Sequence, residues 1–174
     1  MAKRNLSIFC NTAKNQKGFT LVELMLGLLI IGAGLIGIVG LYNVNSSKSA
    51  TQEEIRNLDA IRGGVKELYG SAAAYTGVSN TILTNAGVFP DKMKKGASVK
   101  NVWGGDVTVA VDGGDSTKFT ITYALVPKEN CLKLGAANPS AWVSAKVGAT
   151  SITDVATANT ACAAATNTLV FTSN

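Results

Sequence analysis

The chain has 174 residues, 47% of them apolar, with 16 basic and 11 acidic side chains, three Cys and no His. That length suits one domain plus an extended segment, and the missing imidazole removes the usual general base and the commonest metal ligand. The formal charge of +5 gives no argument for nucleic-acid binding: Lys3, Arg4, Lys14 and Lys17 all precede residue 19, no acidic residue does, and the remainder balances twelve basic groups against eleven acidic ones.

From Leu24 to Tyr42 the sequence runs for 19 residues without a charge. As a helix this is about 28 Å, close to the ~30 Å hydrocarbon core of a bilayer, and longer than the roughly 7–15 residues of a signal-peptide apolar region. The run is therefore expected to span a membrane. The basic residues ahead of it place 1–18 in the cytoplasm and send the C-terminal part across. The small residue in the context of a cleavage site is Gly18, which stands before the apolar run and not after it. Cutting between Gly18 and Phe19 would remove the basic leader and leave the helix as the new N-terminus. Glu23 is the ionisable group nearest the run. Gly27, Gly32, Gly34, Gly37 and Gly40 fit either a helix that packs closely against others or the ordinary tolerance of membrane helices for glycine.

Beyond a polar stretch, Ile55, Leu58, Ile61 or Arg62, Val65 and Leu68 recur at three- and four-residue spacing, which predicts an amphipathic helix ending around Tyr75-Thr76-Gly77. The pair Gly63-Gly64 weakens it and marks a candidate bend. Residues 20–75 are thus read as one spine. A short helix is expected at 79–85, a turn at Phe89-Pro90-Asp91, and Lys92, Lys94, Lys95 and Lys100 form a basic cluster read as a solvated loop.

After Val99 the period changes to two. Val107, Val109 and Val111, then Phe119, Ile121, Tyr123 and Leu125, predict a β-hairpin around a four-residue turn, Asp112-Gly113-Gly114-Asp115. Residues 142–147 and 168–171 read as further strands, 130–134 as a short helix, and Thr153-Asp154 as the cap of an Ala-rich helix running through Cys162. The fold class is α+β, a long N-terminal helix packed on an antiparallel sheet. Asp106, Asp112 and Asp115 do not have the spacing of an EF-hand loop, so no metal site is assigned. No nucleophile elbow or phosphate-cradling loop is present, and no enzyme and no cofactor are expected.

The run Gly18-Phe19-Thr20-Leu21-Val22-Glu23-Leu24, followed by a full apolar helix, resembles the processing site of type IV prepilins. Leu68-Tyr69 through Tyr75-Thr76-Gly77, Thr81-Ile82-Leu83, Phe89-Pro90-Asp91 and Asn101-Val102-Trp103-Gly104-Gly105 resemble the type IVb pilins, which include bundle-forming pilins and the thin-pilus subunits of conjugative plasmids. Phe19 departs from that class, because a Phe start is typical of type IVa.

The resemblance implies cleavage after Gly18 by a membrane-embedded prepilin peptidase, N-methylation of Phe19, and extraction of the mature subunit from the bacterial inner membrane by pilus assembly machinery. The product is a helical homopolymer, an extracellular fimbrium serving adhesion, aggregation or conjugative contact. A carboxylate at membrane depth is costly and usually has a partner, and the new Phe19 amine on the same or a neighbouring subunit is the partner expected for Glu23, setting the register of assembly. With Cys10 in the leader, Cys131 and Cys162 remain in the exported part, where an oxidising compartment would join them, in keeping with the disulfide-bounded C-terminal region of these pilins. The implied division is 1–18 as removed leader, 19–50 as membrane and fibre-core helix, and 51–174 as the globular head. Two alternatives stand beside the major pilin: a minor pilin or type II secretion pseudopilin, and a membrane-anchored binding module that never polymerises.

Overall fold

The computed structural model describes residues 20–137 and 139–174, without the side chains of 32–47 and Pro139. Gly18, Phe19 and the basic leader lie outside the described residues. The helix α1 runs from Leu21 to Tyr69. The chain divides at Asn43/Val44 into two units, each taken here by itself. Among the described residues no helix is long and apolar enough to cross a membrane. The segment expected to do so, Leu24–Tyr42, lies partly outside them, because the side chains of 32–42 are not described.

In the second unit, α1 turns one stripe inward: Thr51, Glu54, Leu58, Ile61 and Val65 are buried, at the three- and four-residue spacing of a helix face. Leu68, placed on this stripe by its spacing, is exposed, and Tyr69 packs against the core in its place. The helix also stops earlier than the sequence suggests, at Tyr69 and not near Tyr75. Gly70 and Ser71 favour an end there. Leaving the helix also lets Tyr75 pack its ring at a tilt against Phe119, with centroids 4.7 Å apart, and donate its N–H to Ser116 O at 2.8 Å. Gly63-Gly64 does not interrupt the helix. Gly64 serves contact, since a Cβ there would stand 2.7 Å from a methyl of Val88.

The short helix α2, Asn80–Asn85, is capped by Ser79, whose side chain accepts from Ile82 N–H. A 3₁₀ turn, Asp91–Met93, then leads into a two-stranded ribbon of β1, Lys94–Lys95, and β2, Ser98–Val99. The main sheet holds β3, Val107–Val111; β4, Phe119–Pro127; β5, Ser144–Val147; β6, Thr150–Ile152; and β7, Thr166–Ser173. Its order is β3-β4-β7-β5-β6, antiparallel throughout. The strand β5 begins at Ser144, and β6 has no counterpart in the sequence reading. A strand of three residues gives too few positions for a period of two to register. At the β3 edge the Asn80 amide acts as a fragment of strand: its Nδ2 donates to Val107 O at 2.7 Å and its Oδ1 accepts from Val109 N–H at 2.8 Å. An edge satisfied in this way is a poor template for pairing with another chain.

The hairpin loop is longer than expected. Pairing ends at Val111↔Phe119, so the loop covers 112–118, and Asp112 N–H donates to Lys118 O across it. The Asp115 carboxylate builds a second turn by accepting from the Thr117 N–H and hydroxyl. In β4 the inward alternation fails after Tyr123. A bulge lies between Tyr123 and Val126, Leu125 adopts φ 54°, and Val126 enters the core in its place while Leu125 faces solvent.

The helix α3, Lys128–Gly135, and the helix α4, Val155–Ala161, flank the β5–β6 pair in sequence, and β7 follows α4. Asp154 and Thr157 cap α4 reciprocally through side chain and backbone. Cys131 on α3 and Cys162 at the end of α4 form a disulfide, with Cα atoms 5.8 Å apart. Two polar contacts tie α1 to the C-terminal region: Asn130 Nδ2 donates to Thr51 Oγ1 at 2.6 Å, and Arg62 Nε donates to Ser173 Oγ at 2.9 Å. The Arg62 guanidinium also lies 5.2 Å from the centroid of Trp142, a ring that itself packs on Phe171.

Candidate functional site

Two surfaces carry candidate function, the start of α1 and the loop region of the head. Thr20 caps α1. Its Oγ1 accepts from Glu23 N–H at 3.3 Å, and its carbonyl accepts from Leu24 N–H at 3.1 Å. Thr20-Leu21-Val22-Glu23 has the Thr-x-x-Glu spacing of a capping box, a signal present in the sequence and missed by a reading directed at cleavage. Glu23 therefore stands in the first turn of α1, where a negative charge is favourable to the helix dipole. Around it, every apolar side chain from Leu21 to Ile31 is at least 60% exposed. A contiguous apolar surface of this kind marks a site of association with lipid or protein. The residues expected to act in processing, Gly18 and Phe19, lie outside the described residues, so of the expected site residues in this region only Glu23, expected to set assembly register, is placed.

In the head, the lysine cluster is largely spent on local pairs. Lys92 meets Glu53 at 2.9 Å, Lys94 meets Asp91 at 2.9 Å, and Lys100 meets Asp106 at 2.7 Å. Such exposed pairs contribute little to stability, about 0–1 kcal/mol each. The Lys118 ammonium and the Thr117 hydroxyl and amide hold the Asp115 carboxyl down to about 2. Asp106, Asp112 and Asp115 are thus each engaged by a Lys or a backbone amide. Among the described residues no acidic cluster could hold a metal ion.

The run Asn101-Val102-Trp103-Gly104-Gly105 is a closed loop. Lys100 and Asp106 bridge its base. Asn101 is its hub: Nδ2 donates to Ala124 O at 2.7 Å, while Oδ1 accepts from the amides of Trp103 at 3.0 Å and Gly105 at 2.9 Å. Gly105 lies so close to the β4 bulge that a Cβ would overlap the Ala124 carbonyl. Glu54 reaches this loop from α1 and accepts from Val102 N–H at 2.8 Å. Its burial was missed by the apolar spacing, which started the stripe at Ile55, whereas Glu54 is buried and Ile55 only partly so. Its partner was missed as well, because 48 residues separate them.

The comparisons agree with this geometry. The family model described as PilS N terminal matches residues 48–174, and the prokaryotic N-terminal methylation motif matches residues 13–39. The major structural subunit of the bundle-forming pilus of Escherichia coli O127:H6 is 25% identical over 128 residues, which cover 72% of this chain and 66% of that protein. The same subunit from Escherichia coli O111:H- is 26% identical over the same coverage. The chain thus spans just under two thirds of the length of these relatives. Among solved structures, a type IVb pilin from Salmonella typhi superposes with a TM-score of 0.59 at 24% identity, covering 69% of this chain and 97% of that one. TcpA, a type IV pilin from Vibrio cholerae El Tor, superposes with a TM-score of 0.54 at 12% identity, covering 72% and 99%. The fold is that of the type IV pilins, and the chain belongs to the PilS N-terminal family as a prepilin of the type IVb class.

Proposed function

We propose that this chain is the structural subunit of a type IVb pilus, and its major one. The observation that carries the reading is the start of α1: a capped helix with an exposed apolar surface and one carboxylate, Glu23, placed five residues after Gly18 in a chain with a pilin head. Its precursor sits in the bacterial inner membrane, where prepilin peptidase cuts between Gly18 and Phe19 and the new Phe19 amine is methylated. Residues 19–50 form the membrane and then the fibre-core helix, and 51–174 form the head. One heterologous contact repeated without closure gives a helical filament at the cell surface. Glu23 sets register by pairing with the Phe19 amine. The protein is structural and not an enzyme, which the pilus-subunit relatives support.

The test is the intact mass and N-terminal fragmentation of protein sheared from the native cell surface. The expected chain begins at N-methyl-Phe19 and is two hydrogens lighter than its reduced form. Full-length chain found only in membranes would overturn the reading and favour a signal-anchored module. Cleaved chain present only in trace amounts within the fibres would favour a minor pilin.

A further inference from the structure

Leu125 combines two features that a folded chain normally avoids. Its backbone is left-handed, with φ 54°, and its apolar side chain is 53% exposed. Strain of this kind persists where the surroundings over-determine the backbone, and it collects at functional positions. Here the determinants are on either side of the preceding residue. Asn101 Nδ2 donates to Ala124 O, Ala124 N–H donates to Asp106 O, and Gly105 lies against the Ala124 carbonyl. The same junction displays a second apolar side chain, because Val102, 52% exposed, follows Asn101 as Leu125 follows Ala124. Neither side chain belongs to the core of the head. Apolar side chains held out on a fixed junction make a contact surface. A cation stands beside it. Lys92, Lys94 and Lys100 are each paired within the chain, whereas Lys95, which lines the same cleft as Val102, is exposed and has no ion pair among the described residues.

A groove of the opposite charge lies elsewhere on the head. It has a volume of about 570 Å³ and runs between α1, at Gly64 and Leu68, and the Gly87-Val88 segment that follows α2, with Glu67 on its wall. Gly64 lets Val88 close against the helix, and Leu68 is 45% exposed. Glu67 is exposed and has no ion pair among the described residues, and no cation lines the groove. The Val102 amide is fixed to α1 at Glu54, ten residues before Gly64 and so about 15 Å away along the helix. A chain therefore cannot seat its own loop in its own groove.

We propose that Leu125 and Val102 of one copy dock in the Gly64–Val88 groove of a second copy, with Lys95 facing Glu67 across the contact. This contact rests on the pilin reading above and names the head surfaces that join in the filament. Leu125 and Val102 lose water against Leu68 and Val88, while the Lys95 and Glu67 charges fix which patch meets which. The two patches are different parts of one head, so a joined pair still has a free Leu125 patch at one end and a free groove at the other, as a growing polymer requires. The strain held at Leu125 is offset by burial that an isolated head cannot supply.

The experiment is cysteine cross-linking in fibres sheared from the native cell surface. Leu125→Cys and Leu68→Cys are made singly and together, and the fibres are treated with a mild oxidant and separated under denaturing, non-reducing conditions. The double variant is expected to give a ladder of dimers, trimers and longer species, and each single variant only monomer. Double-variant fibres that stay monomeric, or dimers from a single variant, overturn the contact and leave the pilin reading standing. Wild-type cells that shed no fibres overturn that reading and this contact with it. Should the cysteine variants fail to assemble, Leu125→Asn decides. It is expected to cut the yield of sheared fibre at least tenfold while the melting temperature of the head in micelles does not fall. An unchanged yield, or a yield and a melting temperature that fall together, would confine Leu125 to its own head and sink the proposal.

Discussion

The start of α1 and the part of α1 within the head are built from opposite choices. Between Leu21 and Ile31 the helix exposes its apolar side chains on every face. Between Thr51 and Val65 it buries a narrow stripe that includes Thr51 and Glu54. Apolar burial is worth ~1.5–3 kcal/mol per large side chain, so the first stretch withholds a stabilisation that the second collects at Leu58, Ile61 and Val65. A helix that leaves so much unused is shaped for surroundings outside its own chain, whether lipid or other copies. The polar residues of the second stretch do the converse work of fixing which segment lies against which. Thr51 meets Asn130, Glu54 meets Val102, and Arg62 meets Ser173.

The largest expected effect breaks the first region and spares the second. Glu23→Val removes the one charge in the apolar start while keeping the Thr20 hydroxyl bond, which goes to the backbone N–H of residue 23. The variant is expected to insert, be cleaved at Gly18–Phe19 and keep an unchanged head melting profile, yet yield no fibres in sheared fractions. Normal fibres from it would remove the register role from Glu23.

The second effect is the reverse, damage confined to the head. Replacing both Cys131 and Cys162 by Ser opens a link spanning 31 residues, which in the chain-entropy model costs ~3–4 kcal/mol. Denaturant unfolding of the full chain in micelles would show a midpoint lowered accordingly, with cleavage at Gly18–Phe19 unaffected. A shift below about 1 kcal/mol would mean that α3 and α4 are held by packing alone.

What the sequence made legible follows this same division. Periodic segments were readable because burial imposes a period: the stripe from Leu58 to Val65, the Val107–Val111 and Phe119–Tyr123 alternations, and the Asp154 cap were all in view. The candidate site at the start of α1 was readable because a charge, a small residue and an apolar run stand in fixed order. The unread parts depend on partners distant in sequence. Tyr75 ends the helix early by meeting Ser116 and Phe119, and Asn80 closes the β3 edge. Asn101 with Gly105 forces the bulge that moves Val126 inward, and Glu54 finds Val102 across the fold. Local pattern marks which face is buried, but not which backbone group comes to meet it.

The smallest effect sharpens that last point at Leu125. Its φ of 54° is the one left-handed non-glycine conformation among the described residues, and its side chain is 53% exposed. A leucine in this conformation costs ~1–2 kcal/mol, whereas Asn tolerates it. The bulge is held by Asn101 Nδ2 on Ala124 O and by Ala124 N–H on Asp106 O, neither of which needs the Leu125 side chain. Leu125→Asn is therefore expected to stabilise the head by ~1 kcal/mol and raise its melting temperature by a few degrees, while Leu125→Val, with a β-branched side chain forced to positive φ, lowers it. Scanning calorimetry of the two variants would decide the matter. Equal losses in both would mean that the leucine side chain itself, and not the loop contacts, holds β4 in its bulged register.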